Sequence, residues 1–371
     1  MVQLRHLEIE LTRILTFLPN GLGNLTTLRT LSGFPVGDEN RGCKIEELKN
    51  LNLLRGRLVI KNLERVLNVN EAREAQLNKK SYLQTLHFDY KYKTDEEWRM
   101  TGDGEMQMME GVFEGLGPLH SNLKRKLRQL PSLGNLSSLK TLEICGTNEV
   151  KVVGVEFCGN GAGRGRVFPK LESLTFFQME NWEEWKLTDE YGEVMPSLKE
   201  LKITNCYKLK ALPDRLPRNL REVAVLCVEV TWMPCDDALP LLESLSLGGH
   251  VKVELSSFPS LKTLILRNAS YETLPSDGWE LLESLHTIEI EHCPRLEFLH
   301  DGMGQLKSLR SLTIKYCPEL KHFPLQYLTT LERLHIDNCP FVKEQLEKEI
   351  REDRCSVSHI CNIYIDDERI Q

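Results

Sequence analysis

The chain has 371 residues, of which 41% are hydrophobic and 27% charged, and its formal net charge at pH 7 is -7. An acidic balance argues against general affinity for nucleic-acid backbone, which calls for a basic face. No apolar run reaches the about 18 residues that a membrane-spanning helix needs, and the 11 cysteines are scattered without a compact framework, so reduced thiols in a cytosolic chain are expected.

At the N-terminus, Arg5, Glu8, Glu10 and Arg13 interrupt the apolar residues, so no secretory leader is expected. The same stretch contains Leu4-x-x-Leu7-x-Ile9, the first copy of a pattern that then recurs. Leu28 and Leu54 head degenerate copies. Asn70 is placed to cap a helix running from Glu71 to Leu77. Leu83-x-x-Leu86-x-Phe88 restores the pattern, and a polar, Met-rich stretch over 91–117 departs from it. Leu139-x-x-Leu142-x-Ile144 follows. A glycine-rich run with Gly159, Gly161, Gly163 and Gly165 reads as a loop, since its spacing misses the dinucleotide fingerprint.

Leu171-x-x-Leu174-x-Phe176 comes next, then an acidic, aromatic segment from Asn181 to Trp185, either a contact surface or an insertion covering a repeat edge. From there the copies are regular. They begin at Leu198, Leu220, Leu242, Leu261, Leu285, Leu309 and Leu331, and Cys206, Cys293, Cys317 and Cys339 fall at one shared template position. Leu-Pro or Phe-Pro pairs such as Leu212-Pro213 and Phe323-Pro324 close several copies, where proline ends regular structure.

A spaced pattern of this kind with a period of roughly 20–29 residues is the leucine-rich repeat. The leading leucines Leu285, Leu309 and Leu331 stand 24 and 22 residues apart. The L-x-L portion makes a short strand with both apolar side chains on one side. A single unit cannot bury that side alone, so units must stack. The expected fold is therefore α/β: a leucine-rich-repeat solenoid, a curved horseshoe with a parallel sheet on its concave face and an irregular convex side. The shared cysteines point inward as structural thiols bonded to turn backbone. Residues between the inward positions are displayed on the concave sheet: Glu200, Lys202, Thr204, Arg267, Thr287, Glu289, Glu291, Thr313, Lys315, Arg333, His335 and Asp337. This lane is the expected protein-binding surface. Charge reversal at Arg333 or Asp337 is expected to weaken a complex without lowering thermal stability.

Catalytic signatures are missing from the sequence. The segment from Gly37 to Lys44 carries Cys43 where a phosphate loop needs lysine, and no nucleophile elbow, zinc-protease or kinase motif occurs. Cys355, His359 and Cys361 lack a fourth ligand at standard spacing. No enzyme activity, cofactor or metal is expected; the function should be binding.

Several stretches carry a more specific signal: "LPNGLGNLTTLRTLSGFPVG" at 18–37, "LRGRLVIKNLERV" at 54–66, "LPSLGNLSSLKTLEICG" at 130–146, "FPKLESLTFFQMENWEEW" at 168–185 and "SHICNIYID" at 358–366. They resemble the leucine-rich-repeat region of plant intracellular immune receptors, the nucleotide-binding leucine-rich-repeat disease-resistance proteins of the coiled-coil branch. The resemblance implies roles in pathogen recognition and autoinhibition in the cytoplasm. It implies as partner a pathogen effector, a guarded host protein or the receptor's own nucleotide-binding module. That module, with its coiled coil and phosphate loop, is not in this sequence, so the chain is expected to be a fragment or truncated product without nucleotide binding. The alternative is a stand-alone adaptor such as a substrate-recruiting subunit of a ubiquitin ligase. The resemblance implies an extra repeat between Leu83 and Leu139, so a deletion or a gene-model error is expected near Lys126. The expected organisation is degenerate repeats over 1–90, an irregular insertion with a missing repeat over 91–130, regular repeats over 131–345 and a C-terminal cap or tail over 346–371.

Overall fold

A computed structural model describes residues 4–9, 15–38, 40–66, 69–90, 130, 133–147, 150–158, 167–187, 194–213, 215–231, 239–253, 255–274, 278–351, 358–366 and 368–370. They fall into two compact units, Met1–Ala211 and Leu212–Gln371.

In the first unit the strands are β1 (His6–Leu7), β2 (Thr30–Leu31), β3 (Gly33–Pro35), β4 (Arg55–Lys61), β5 (Tyr82–Asp89), β6 (Thr141–Cys145), β7 (Val152–Val153), β8 (Ser173–Phe177), β9 (Glu184–Trp185) and β10 (Glu200–Thr204). Strands β3, β4, β5, β6, β8 and β10 pair in that order, all parallel. β1 pairs with β2, and β7 with β9. β5 pairs directly with β6, Thr85 opposite Thr141 through to Asp89 opposite Cys145. The expected deletion near Lys126 lies outside the described residues, as does the glycine-rich run.

The second unit contains β11 (Glu222–Thr231), β12 (Ser244–Lys252), β13 (Thr263–Ala269), β14 (Thr287–Glu291), β15 (Ser311–Lys315), β16 (Arg333–Asp337), β17 (Asn362–Ile365) and β18 (Glu368–Arg369). Each of β11 to β16 pairs in parallel with the next, β16 with β17, and β18 closes the edge antiparallel. A paired and shortened edge limits open strand hydrogen-bonding groups.

The alternation inferred from L-x-L holds strand by strand. Leu201 and Ile203, Ile288 and Ile290, Leu312 and Ile314, and Leu334 and Ile336 are fully buried, while the residues between them are half-exposed or exposed. The template's leading leucines, such as Leu285, Leu309 and Leu331, are buried as well. No described helix is long and apolar enough to cross a membrane.

Sequence reading missed the corner that ends most of the repeat strands. The residue following β4, β8, β10, β14, β15, β16 and β17, and Asn268 within the end of β13, sits in the left-handed region: Asn62, Gln178, Asn205, His292, Tyr316, Asn338 and Asp366 are the others, with φ between 49° and 58°. After β6 the same place is taken by Gly146 at φ 75°, where a Cβ would stand 2.7 Å from the Tyr90 carbonyl oxygen. The corner keeps the ladder intact while the chain turns inward. The amides of Gln178, His292 and Tyr316 still donate to the last carbonyl of the next strand, Thr204, Lys315 and Asp337, at 3.0, 2.9 and 2.9 Å. This conformation costs a non-glycine residue roughly 1–2 kcal/mol, least for Asn. The two bulky occupants, His292 and Tyr316, lie in adjacent repeats with their rings stacked 4.4 Å apart and 4° from parallel, which offsets part of that cost.

Two other expectations are corrected, and one pair of alternatives is narrowed. The helix near Asn70 is α1 (Val69–Glu74), so Asn70 lies inside it rather than capping it. It stops short of Leu77 because Gln76 takes a left-handed φ of 48°. A second short helix is α2 (Val155–Cys158). The Asn181–Trp185 segment is no aromatic contact surface: Trp182 and Trp185 are buried. Their rings lie 4.8 and 5.5 Å from that of Phe176, and Trp182 Nε1 donates to the Glu184 carbonyl at 2.8 Å. The tail is more than a cap, because after helix α3 (Pro340–Arg351) it supplies a further copy, Ile360-x-x-Ile363-x-Ile365, as β17. All three isoleucines are buried.

Leu312→Ala should lower the unfolding free energy by about 2–5 kcal/mol in urea titration, as deletion of a packed core side chain does. Lys315→Ala on the same strand should change it by less than about 0.5 kcal/mol.

Candidate protein-interaction face

The residues expected to bind a partner occupy the outward positions of the sheets. Glu200, Lys202 and Thr204 alternate with buried Leu201 and Ile203 on β10 of the first unit. The other nine belong to the second unit, where register places them in rows. Thr287, Ser311, Arg333 and Asn362 form one row; Glu289, Thr313, His335 and Tyr364 the next; Arg267, Glu291, Lys315 and Asp337 the last. Tyr364 and Asn362 were missed because their strand's inward positions are isoleucines; the rings of Tyr364 and His335 lie 5.8 Å apart.

The charges on this face are not equally available. Arg267 is held by Glu291 at 2.8 Å and Glu289 at 3.7 Å. Lys202 lies 4.0 Å from Glu200 on its own strand. In the first unit the same outward position pairs His87 Nδ1 with Glu143 at 2.5 Å. Arg333 differs: it is exposed at the start of β16 and has no ion-pair partner among the described residues. Asp337 departs from the expectation. It is buried at 7% exposure, and Asn338 Nδ2 donates to its carboxylate at 2.7 Å. Its side chain is short and pinned at the corner, so reversing its charge would place a cation where water is scarce.

Beside the face runs a second column, one residue ahead of each strand. Glu172 bridges Lys140 at 3.0 Å and Lys199 at 2.8 Å in the first unit. In the second unit Glu243 bridges Arg221 at 2.6 Å and Lys262 at 3.0 Å, and Arg310 pairs with Glu332. Hydrogen bonds from the lysines hold the Glu172 and Glu243 carboxyls below the usual carboxylate range. These pairs are exposed and contribute little to stability, but they set neighbouring repeats in register and leave few charges here for a partner.

The shared cysteines are buried. Cys206, Cys293, Cys317 and Cys339 each direct Sγ at the carbonyl two residues back, on Thr204, Glu291, Lys315 and Asp337, at 3.4, 3.5, 3.4 and 3.2 Å. Cys339 also reaches the Ile314 carbonyl at 3.7 Å and accepts from the Cys317 amide at 3.4 Å, tying successive corners together. Burial pushes the Cys206 thiol up to about 12. Thiol contacts with Cys293 and Cys339, together with burial, raise Cys317. In the tail, His359 Nε2 lies 2.9 Å from the Leu328 carbonyl, and Cys355 lies outside the described residues.

With the thiolate disfavoured by burial, raising the pH from 7 to 9 should leave Cys206 unlabelled by iodoacetamide in folded protein, while exposed Cys361 reacts. Peptide mapping checks this, and labelling of Cys206 should appear only in urea.

A family model described as R13L1/DRL21 leucine-rich repeats matches residues 45–125. Among curated proteins, the chain is 29% identical over 307 residues to the probable disease resistance protein RF9 of Arabidopsis thaliana, covering 75% of this chain and 27% of that protein. It is 29% identical over 296 residues to the putative disease resistance protein RGA1 of Solanum bulbocastanum, covering 77% and 28%. The chain thus spans little more than a quarter of the length of these relatives. Among solved structures, it is similar to Listeria monocytogenes InlP at 14% identity and TM-score 0.39, covering 80% of this chain and 64% of that one. It is also similar to the Leptospira interrogans leucine-rich-repeat protein LIC12759 at 17% identity and TM-score 0.34, covering 98% and 96%.

Proposed function

The chain is a leucine-rich-repeat array homologous to plant disease resistance proteins, and on that footing we propose that it is the protein-binding repeat domain of an intracellular immune receptor, acting in the cytoplasm. Pathogen recognition and autoinhibition would both use the outward sheet face. The partner would be a pathogen effector, a guarded host protein or the nucleotide-binding module of a receptor. The supporting observation is Arg333, an exposed cation with no ion-pair partner among the described residues, on a face where Arg267 is already held by two glutamates. A partner carboxylate can engage Arg333 without first displacing an internal one. Fork geometry suits arginine to that task, and Ser311 and Asn362 on either side of it add uncharged hydrogen-bonding groups. No catalytic role is needed for this reading.

Arg333→Glu should weaken the complex with the nucleotide-binding module supplied in trans by about tenfold, chiefly through slower association, and leave the melting temperature unchanged. Asp337→Lys should do the reverse of what a displayed charge would do: it should destabilise the chain by about 2 kcal/mol or more. Binding kinetics and thermal melts of both variants check this; wild-type binding by Arg333→Glu would count against the reading.

A further inference from the structure

The second unit contains a cavity that its repeat lengths explain. Leu242 and Leu261 stand 19 residues apart, against 24 for both Leu261 to Leu285 and Leu285 to Leu309. In the longer repeat that starts at Leu285, the stretch Cys293-Pro-Arg-Leu296-Glu-Phe-Leu299 follows the strand, and Leu296 and Leu299 are both buried. The short repeat has nothing equivalent. After Leu247 it continues as Gly248-Gly249-His250, within a strand prolonged to Lys252. The register against β13 slips at Gly248/Gly249. The neighbouring repeat is also one residue shorter at this point, and half-buried Tyr271 takes the place of buried Leu296, as the pairing of Thr273 with Phe298 shows. The short repeat thus lacks the counterparts of both Leu296 and Leu299, and the next repeat has the half-buried Tyr271 ring in place of Leu296.

The result is a pocket of about 630 Å³, within the size range of small-molecule sites. Leu247, Leu264 and Leu266 form its floor, and Tyr271, Trp279 and Phe298 bring three aromatic rings to it. The polar groups sit at the rim. His300 Nδ1 accepts from the Gly302 amide at 3.0 Å, which leaves its Nε2–H as the donor. His322 Nε2 and Asp301 lie 3.0 Å apart and satisfy each other. Among the described residues no lysine or arginine lines the pocket, and the one carboxylate there, that of Asp301, is already bonded.

From this we infer that the cavity left by the short repeat is a binding site for a small, neutral, multi-ring aromatic molecule bearing one hydrogen-bonding group. The rings stack in the aromatic, apolar interior, and the polar group meets the imidazoles at the rim. An anionic ligand finds no lysine or arginine counter-charge among the described lining residues. The site is distinct from the sheet face around Arg333 and stands or falls independently of the protein-binding role.

The test is fluorescence titration of the whole chain with N-phenyl-1-naphthylamine, a neutral two-part aromatic amine. Wild type should give a saturable rise with one site per chain. Leu247→Phe, which fills the floor, should weaken binding at least tenfold. Thr273→Trp, at an exposed rim position that the core does not depend on, should weaken it comparably while circular dichroism stays unchanged. Lys315→Ala, on the outward sheet face, should bind like wild type. No saturable binding to folded wild type would overturn the inference, as would undiminished binding by Thr273→Trp.

Discussion

Leu312 and Ile314 are buried because Ile288 and Ile290 lie in register on one side of them and Leu334 and Ile336 on the other. A five-residue strand has no other means of removing two aliphatic side chains from water. Complete burial of such a side chain contributes about 1.5–3 kcal/mol, and here it exists only if both neighbouring repeats are present. The parallel ladder, the inward corners and the buried thiols all follow from that requirement. A five-residue repeat strand stops after two inward residues and sends the chain back under the sheet, and the left-handed residue after strands such as β8, β14 and β15 does this without breaking the last ladder bond. The cysteine that follows is then aimed inward, where its thiol satisfies the carbonyl that the turn would otherwise strand in an apolar layer.

The same requirement shapes the surface. Inward positions are committed to the core, so variation is confined to the alternate positions, which stand in rows across the strands. Rows place side chains of different repeats within reach of one another, and many of the charges neutralise each other there. Arg267 with Glu291 and Glu172 with its two lysines are examples. What remains for recognition is the remainder after internal pairing, which is why Arg333 stands out from a lane that looks uniformly mixed in the sequence. Where a repeat is too short to supply its inward leucines, the deficit appears as a cavity rather than as a collapsed sheet, because the strands on either side remain held by their other neighbours.

Strand positions were legible because the physics of each is local: Leu-x-x-Leu-x-Ile states both the strand and its buried side, and every copy recognised from Leu83 onward is a strand of a main sheet. The copy at Ile360 escaped notice only because isoleucine replaces leucine at all three places. The corner was not legible, since Asn, Gln, His, Tyr, Asp and Gly share no chemistry beyond standing at one backbone conformation. The proposed binding face was half legible. Sequence shows which residues point outward, but pairing partners such as Arg267 and Glu291 are 24 residues apart in the chain, and register alone joins them. The burial of Asp337 depends on Asn338 beside it in a left-handed corner, a conformation that alternation does not reveal.

If mutual burial between neighbours holds the array, damage at one repeat must be felt in the next. Hydrogen–deuterium exchange of an Ile314→Ala variant tests that most directly. The account predicts that amide protection falls in Thr287–Glu291 and Arg333–Asp337 as well as in Ser311–Lys315. Loss confined to Ser311–Lys315, with both flanking strands protected as in wild type, would contradict it.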